Sequence, residues 1–491
     1  MPLFAAADIG TTTIKAGLFD EKCELLRERS APFLPDRKFG WEGIDPDKLA
    51  ASLKSLIREV ASVDGPSVGS LSLSSFAETV FPVDGGGASH HGIIWYENCT
   101  KDLFDRVMAR TTTRRVREIT KLDASWIYSA SKILRTKEDH PEIYAGARAF
   151  LDASSYMAFM LTGELWSDLS LASRTQLLDV ERACWSEEMT DLWGLDAGKL
   201  PPLRRSAGVW GSLRPAAASE LGMKPGIPVI VTGQDHIACA LGAGVSRYDQ
   251  GMISIGTSAS YYSPMPPESL TTEDFLSRES LSGGYSAFPG GTYALTGMSS
   301  GGFCIDWFIH SVLGRDYGIL GEFGRGFLRT RALFFPNLRA FTDKLPPGGF
   351  TRLSDSDTGL SMLQAVMEAL AFEGRYAFRE IFKAKRVSGL REVVMTGGGA
   401  RNTPFVRILA NALGSPIIVH PLPHSSGLLG GAIAGAAACG YFRNCAEAAE
   451  TLRPGTEYQP DDPDFAAYLD EKYDKHLMDY RSSPRIHPKN I

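Results

Sequence analysis

The chain opens with an apolar run over residues 3–9 that breaks at Gly10-Thr11-Thr12. From Thr13 the pattern alternates, with Ile14, Ala16 and Leu18 on one side, and two such runs around a glycine turn predict a β-hairpin. Residues 47–60 change period: Leu49, Leu53, Leu56, Ile57 and Val60 fall on one stripe of an α-helix. Short apolar runs at 68–73 and 93–95 read as strands. Helical spacing returns over 129–139, 149–161 and 187–192, the second ending at a Thr162-Gly163 C-cap. An apolar strand over 227–233 runs into a Gly/Ala helix over 235–242. After a polar break at 244–251, a strand and turn recur over 252–258. The clearest long helix spans 360–383, with Leu363, Val366, Met367, Leu370, Ala371 and Phe378 as its apolar positions. A strand at 393–395, a helix at 403–413, a strand at 417–419 and a second Gly/Ala helix at 426–440 follow. From Thr456 the chain is polar and proline-containing, and 481–491 reads as a tail.

Asp8-Ile9-Gly10-Thr11-Thr12 resembles Ser254-Ile255-Gly256-Thr257-Ser258, and each opens one half of the chain. This faint repeat predicts two related α/β domains, each opening with a phosphate-facing hairpin. The boundaries expected are an N-terminal domain over 1–246, a C-terminal domain over 247–455 and an extension over 456–491. A length of 491 residues accommodates two large domains. The formal charge of −6 leaves no basic footprint for nucleic acid. Seven cysteines without a CxxC spacing argue against a disulfide framework or zinc ribbon and fit a reducing compartment. The longest apolar run, residues 427–442, falls short of the ~20 residues of a membrane span. The start shows no signal-like segment, so the expectation is a soluble, cytoplasmic protein with no membrane or nucleic-acid partner. A homodimer is the commonest symmetric assembly, and no interface is readable.

Three motifs could carry chemistry. In Asp8-x-Gly10-Thr11-Thr12-x-x-Lys15, a glycine turn frees backbone N–H groups for an anion. The threonine hydroxyls add donors, Lys15 can pair with a terminal phosphate, and Asp8 could hold a magnesium-bound water. Alone, the motif reads better as a plain polar hairpin. In Gly233-Gln234-Asp235-His236, the carboxylate stands at a helix N-terminus. That suits an N-cap or a base aimed into a cleft, and phosphoryl transfer asks no more of its base than position. Gly397-Gly398-Gly399-Ala400-Arg401-Asn402 joins a strand to a helix with close backbone approach, where a flat base or phosphate could lie. Neither GxxxxGK[ST] nor GxGxxG fits. His420 and His424 are separated by prolines and make a poor metal pair. His90-His91 follow three glycines and are expected at a loop tip. Gly297-Met298-Ser299-Ser300-Gly301 reads as a turn, and Cys239 as core.

In joint order and spacing these pieces resemble the FGGY carbohydrate kinases, the family of glycerol kinase and xylulokinase, from Asp8 to about Phe442. Phe39-Gly40-Trp41 with Asp45-Pro46, Phe76-Ala77-Glu78-Thr79, Ile94-Trp95 with Glu97, and Tyr128–Lys132 match family segments, as do Leu161–Glu164, Leu200-Pro201-Pro202 and Glu373-Gly374. The resemblance implies two actin-like (ribonuclease H-like) α/β domains flanking a catalytic cleft. It implies an ATP-dependent kinase, with Mg2+, acting on a hydroxyl of a small ketose or polyol, with Asp235 as general base. It assigns Trp41, Glu78, Thr79, Glu97, Asp235 and His236 to the substrate. Thr11, Thr12, Lys15, Gly256, Thr257, Gly302, Gly398, Gly399 and Asn402 fall to ATP, and Asp8 and Asp235 to the metal.

The departures lie in the sugar pocket. Ala77 stands where glycerol kinase has an arginine, Ile127 where it has a substrate tyrosine, and Cys99 where the family strand end has another arginine. Glu97 replaces an aspartate, and Glu42-Gly43-Ile44 displaces the usual glutamate after Trp41. Arg339-Ala340-Phe341-Thr342-Asp343-Lys344 replaces a Gly-Glu-Arg-x-Pro stretch. Glycerol is therefore a poor fit, and a longer polyol or ketose a better one. Two further readings stay open: a non-catalytic nucleotide-binding sensor, which the altered pocket suggests and Asp235 opposes, and a chaperone- or filament-type ATPase, which Glu78 and the Trp41–Pro46 segment oppose.

Overall fold

The computed structural model describes residues 2–62, 67–288, 290–339, 346–387, 389–451 and 455–481. Residues 340–344 of the altered stretch and the tail beyond 481 lie outside the described residues. The chain forms two compact units. One comprises Met1–Ser246, Pro264–Ala294 and Ser425–Leu452, the other Arg247–Ser263, Leu295–His424 and Arg453–Ile491.

The first unit is built on a six-stranded sheet in the order Gly208–Ser212, Pro228–Gln234, Val68–Ser75, Leu3–Ile9, Thr13–Phe19, Leu25–Pro32. The predicted hairpin is present, with Asp8 opposite Lys15. Leu3–Ile9, Val68–Ser75 and Pro228–Gln234 run parallel, and their carboxyl ends are level: Ile9 pairs with Ser75, and Ser75 with Gln234. Asp8, Ser74 and Asp235 are thereby brought to one end of the sheet, where ligands of open α/β sheets bind.

Helix Pro46–Ala61 buries its predicted stripe, and Asp45 caps it by accepting from the Asp47 and Lys48 N–H groups. The helix expected over 149–161 starts later. Ala149–Leu151 is a strand paired with Phe81–Val83, and Asp152 caps the helix Ala153–Thr162. An aspartate whose carboxylate takes the Ser155 N–H outweighs the apolar spacing before it.

Helix Ser426–Ala438, counted in sequence with the second half, packs in the first unit. Its glycines explain the placement. A Cβ at Gly430 would stand 2.0 Å from the Ala238 carbonyl oxygen, at Gly431 2.8 Å from the Ala6 Cβ, and at Gly435 2.3 Å from the Ser70 Oγ. Bare backbone lets this helix lie directly on Asp235–Gly242 and on the sheet.

In the second unit, the strands run Thr292–Met298, Ala259–Met265, Gln250–Ile255, Glu392–Thr396, Ile417–Val419, Thr456–Tyr458. Gln250–Ile255 lies antiparallel to Ala259–Met265 and parallel to Glu392–Thr396, which is parallel to Ile417–Val419. Both units thus carry a hairpin whose first strand pairs with a later parallel strand, and the two similar pentapeptides occupy the two turns. The long helix Gly359–Lys385 opens with a Thr358–Ser361 capping box. The region from Thr456, read as an extension, supplies the edge strand and the helix Pro463–His476. All seven cysteines are free. Among the described residues no helix is long and apolar enough to cross a membrane.

Candidate active site

Asp8 ends the opening strand, and its Oδ1 accepts from the Ser74 Oγ at 2.6 Å. Burial pushes its carboxyl above the ordinary range, and the nearby Asp235 carboxylate pushes it further; Ser74, Lys15 and His236 pull it back. A buried carboxyl raised by a second carboxylate beside it makes a pair that suits a cation. Asp8 and Asp235 therefore fit a Mg2+ site by their donor chemistry. Asp235 is the first residue of its helix, and its Oδ1 accepts from the His236 N–H at 2.7 Å. Thr11 Oγ1 accepts from the Trp95 indole N–H at 3.2 Å, and Thr12 is exposed.

The strand that delivers Asp235 rests on a device absent from the sequence reading. Gly233 has φ +114°, and a Cβ there would lie 2.5 Å from Ser170 Oγ and 3.0 Å from Ser206 Oγ. Asp168 accepts from both serines, and Ser170 Oγ in turn accepts the Gln234 N–H at 2.9 Å. Burial lifts the Asp168 carboxyl to about 7. Nothing local in Trp166-Ser167-Asp168 announces this; it requires knowing that residues 168 and 233 meet.

Glu78 sits at φ +68°, a backbone region non-glycine residues seldom adopt. Its buried carboxylate receives the Arg174 Nε at 2.7 Å, and Arg174 also lies over the Tyr128 ring, 5.1 Å from its centroid. Ala77 leaves no arginine beside Glu78 in the sequence, and Arg174 reaches that carboxylate from elsewhere in the chain. Lys132, fully buried beside this pair, donates to the Ile127 carbonyl, and burial lowers its ammonium to about 7. Thr79 is buried and its Oγ1 makes no hydrogen bond. Glu97 Oε2 accepts the Glu42 N–H at 2.9 Å, tying it to the segment after Trp41. Trp41 stacks on Phe39, with centroids 5.4 Å apart. His90 and His91 are not at a loop tip: both are buried, and His90 stacks on Phe39 at 4.4 Å. Aromatic packing outweighs the three glycines that precede them.

The second unit gathers Gly256, Thr257, Gly302, Gly398, Gly399 and Asn402 around one cavity of about 870 Å3. Gly302, Gly397 and Gly399 leave no room for a Cβ. Gly302 donates its N–H to the Gly256 carbonyl at 2.8 Å, and a Cβ at 302 would stand 2.5 Å from that oxygen. Gly397 has φ +82°, and its Cβ would lie 2.4 Å from the Ile255 oxygen. Gly399 would meet the Ile255 side chain at 2.8 Å, whereas Gly256 faces open space. Asn402 lines the cavity, but its side chain is engaged: Oδ1 caps helix Thr403–Leu413 through the Phe405 N–H at 3.0 Å. Phe323, Phe327 and Arg407 add an apolar and cationic wall.

A pair of carboxylates at the carboxyl ends of the first unit's strands and a glycine-lined cavity in the second unit are the parts a phosphotransferase with an alcohol group as acceptor requires. The chain belongs to the FGGY family of carbohydrate kinases: residues 3–242 match the family's N-terminal domain and residues 329–439 its C-terminal domain. A xylulose kinase of Lactococcus lactis is 26% identical over 451 residues, covering 89% of this chain and 87% of the relative. An L-fuculokinase of Escherichia coli is 26% identical over 259 residues, 51% of this chain and 54% of the relative. Among solved structures, a ligand-bound xylulose kinase from Lactobacillus acidophilus superposes with TM-score 0.86 at 19% identity, covering 97% of each chain. A Plasmodium falciparum glycerol kinase with ADP gives 0.87 at 17% identity, covering 97% of this chain and 98% of the other. These likenesses give the fold as two actin-like domains.

Proposed function

We propose that the protein transfers the γ-phosphate of ATP to a hydroxyl of a small ketose of the xylulose or ribulose type, or of a polyol, with Asp235 as general base. The observation that carries this reading is the Asp8–Asp235 pair at the carboxyl ends of the parallel strands. Mg2+ held by these carboxylates would neutralise charge on the phosphates. Asp235, fixed at its helix N-terminus by the His236 N–H, accepts the proton of the attacking hydroxyl. Glu78 orients the sugar by accepting hydrogen bonds from its hydroxyls, and Arg174 holds that carboxylate in place. The second unit's glycine-lined cavity would take the nucleotide, with the Arg407 guanidinium on its wall. Ala77 and Ile127 leave a pocket unlike that of glycerol kinase, and xylulose kinases stand among the relatives, which favours a ketose.

The test is ADP release with ATP and Mg2+ across ketopentoses, deoxyketohexoses, tetritols, pentitols and glycerol. One ketose or polyol raising turnover far above the sugar-free rate is the expected result. Silence across the panel with ATP binding intact would overturn it in favour of a nucleotide sensor.

A further inference from the structure

We infer that Asp36, Asp45 and His91 form a binding site for one divalent first-row metal ion of the Zn2+ or Mn2+ class, separate from the Asp8–Asp235 pair. The three donor atoms lie within 4.8 Å of one another. His91 is 8% exposed, and its Nε2 makes no hydrogen bond. It faces Asp36 Oδ1 at 3.6 Å and Asp45 Oδ2 at 3.6 Å. Asp36 Oδ1 is likewise buried without a hydrogen-bond partner. The 3.6 Å spacing exceeds a hydrogen bond. It matches the edge of a coordination tetrahedron, since donors 2.0–2.2 Å from a tetrahedral ion stand roughly 3.3–3.6 Å apart. One imidazole and two carboxylates, with no thiolate, are the mixed donor set that Zn2+ and Mn2+ accept.

The donors are aimed by what holds their other atoms. Asp36 Oδ2 accepts from the Lys48 Nζ at 3.0 Å, leaving Oδ1 to the histidine. Asp45 Oδ1 is used as the helix cap, accepting the Asp47 N–H at 3.0 Å and the Lys48 N–H at 3.3 Å, leaving Oδ2. The His91 ring is braced edge-on by Phe39 at 5.3 Å. Asp36 and Gly43 exchange backbone hydrogen bonds at 2.9 and 2.8 Å, and Gly43 and Ile44 pair with Ile93 and Gly92. Donors from three separate segments are therefore held together before any ion arrives. Lys48 is the competing cation, 3.0 Å from Asp36 Oδ2 and 3.9 Å from Asp45 Oδ2, and its side chain is 64% exposed. A bound ion would clamp the segment carrying Trp41 to the strand Gly92–Ile93.

Tag-free protein stripped with EDTA and dialysed to equilibrium with Zn2+ or Mn2+, without nucleotide, is assayed for bound metal, with Mg2+ as a comparison ion. Wild type is expected to hold one more Zn2+ or Mn2+ per chain than His91→Gln. The exposed-side variant Asp36→Asn should bind at least roughly tenfold more weakly, and Lys48→Met at least as tightly as wild type. The ion should raise the melting temperature of wild type and not of His91→Gln. If His91→Gln fails to fold by circular dichroism, Asp36→Asn carries the same comparison. Equal uptake by wild type and a folded ligand variant overturns the site. Absence of uptake overturns it too.

Discussion

Arg174 Nε stands 2.7 Å from the Glu78 carboxylate, although the two residues are 96 positions apart in the chain. Both side chains are nearly buried, at 10% and 9% exposure. A buried ion pair is costly to break because the surviving charge is left uncompensated. Arg174→Leu is therefore expected to destabilise the fold by about 3–5 kcal/mol, measured by denaturant unfolding. It should also raise the sugar KM well above any change in the ATP KM, with partial rescue by Arg174→Lys. Equal effects on both KM values would assign Arg174 a purely structural role.

Asp235→Ala should lower kcat by roughly 10²–10⁴-fold while leaving nucleotide affinity close to wild type. Single-turnover phosphate transfer and nucleotide titration separate the two. Retained turnover would remove Asp235 from the base position.

Gly302→Ala tests the second unit's loop, where a methyl group would press on the Gly256 oxygen from 2.5 Å. Overpacking of this kind costs about 1–3 kcal/mol. If the shift falls on the loop carrying Thr257, the ATP KM rises roughly tenfold and the sugar KM does not.

Lys132 supplies a pH signature. Burial holds its folded-state ammonium at about 7, below its ordinary 10.5, although Glu78 and the Cys99 thiol favour the charge. Between those values the unfolded chain keeps a proton that the folded chain has released. Its contribution to stability therefore rises with pH from 7 toward 10.5 and is flat below 7. Denaturant melts of wild type and Lys132→Met across that window should diverge, the variant lacking the rise.

The hairpins, the helix starting at Asp235 and the glycine turn at 397–399 were readable because each rests on local chemistry: a strand period, a terminal carboxylate, a backbone angle. The helices Ser129–Asp139, Asp235–Gly242 and Thr403–Leu413 have the bounds their spacing predicts. Long-range partnerships were not readable. Ala77 showed that the family's arginine was absent, and no local pattern pointed to Arg174 as the partner of Glu78. Asp168 likewise gains its role only where residues 168, 206 and 233 meet. Three glycines before His90 suggested an exposed tip, and stacking on Phe39 decided otherwise.

The helix Ser426–Ala438 belongs to the first unit, yet about 180 residues of intervening chain, most of them in the second unit, are synthesised before it. Until that helix leaves the ribosome, the strand faces at Ala6, Ser70 and Ser72 that it covers stand open to water. The first unit is thus begun first but closed only after most of the second unit has been made, and the second unit is itself completed by residues 453–491. A chain cut after residue 246 would lack its own lid, and each unit waits for residues from the far end of the chain: the first for 425–452, the second for 453–491.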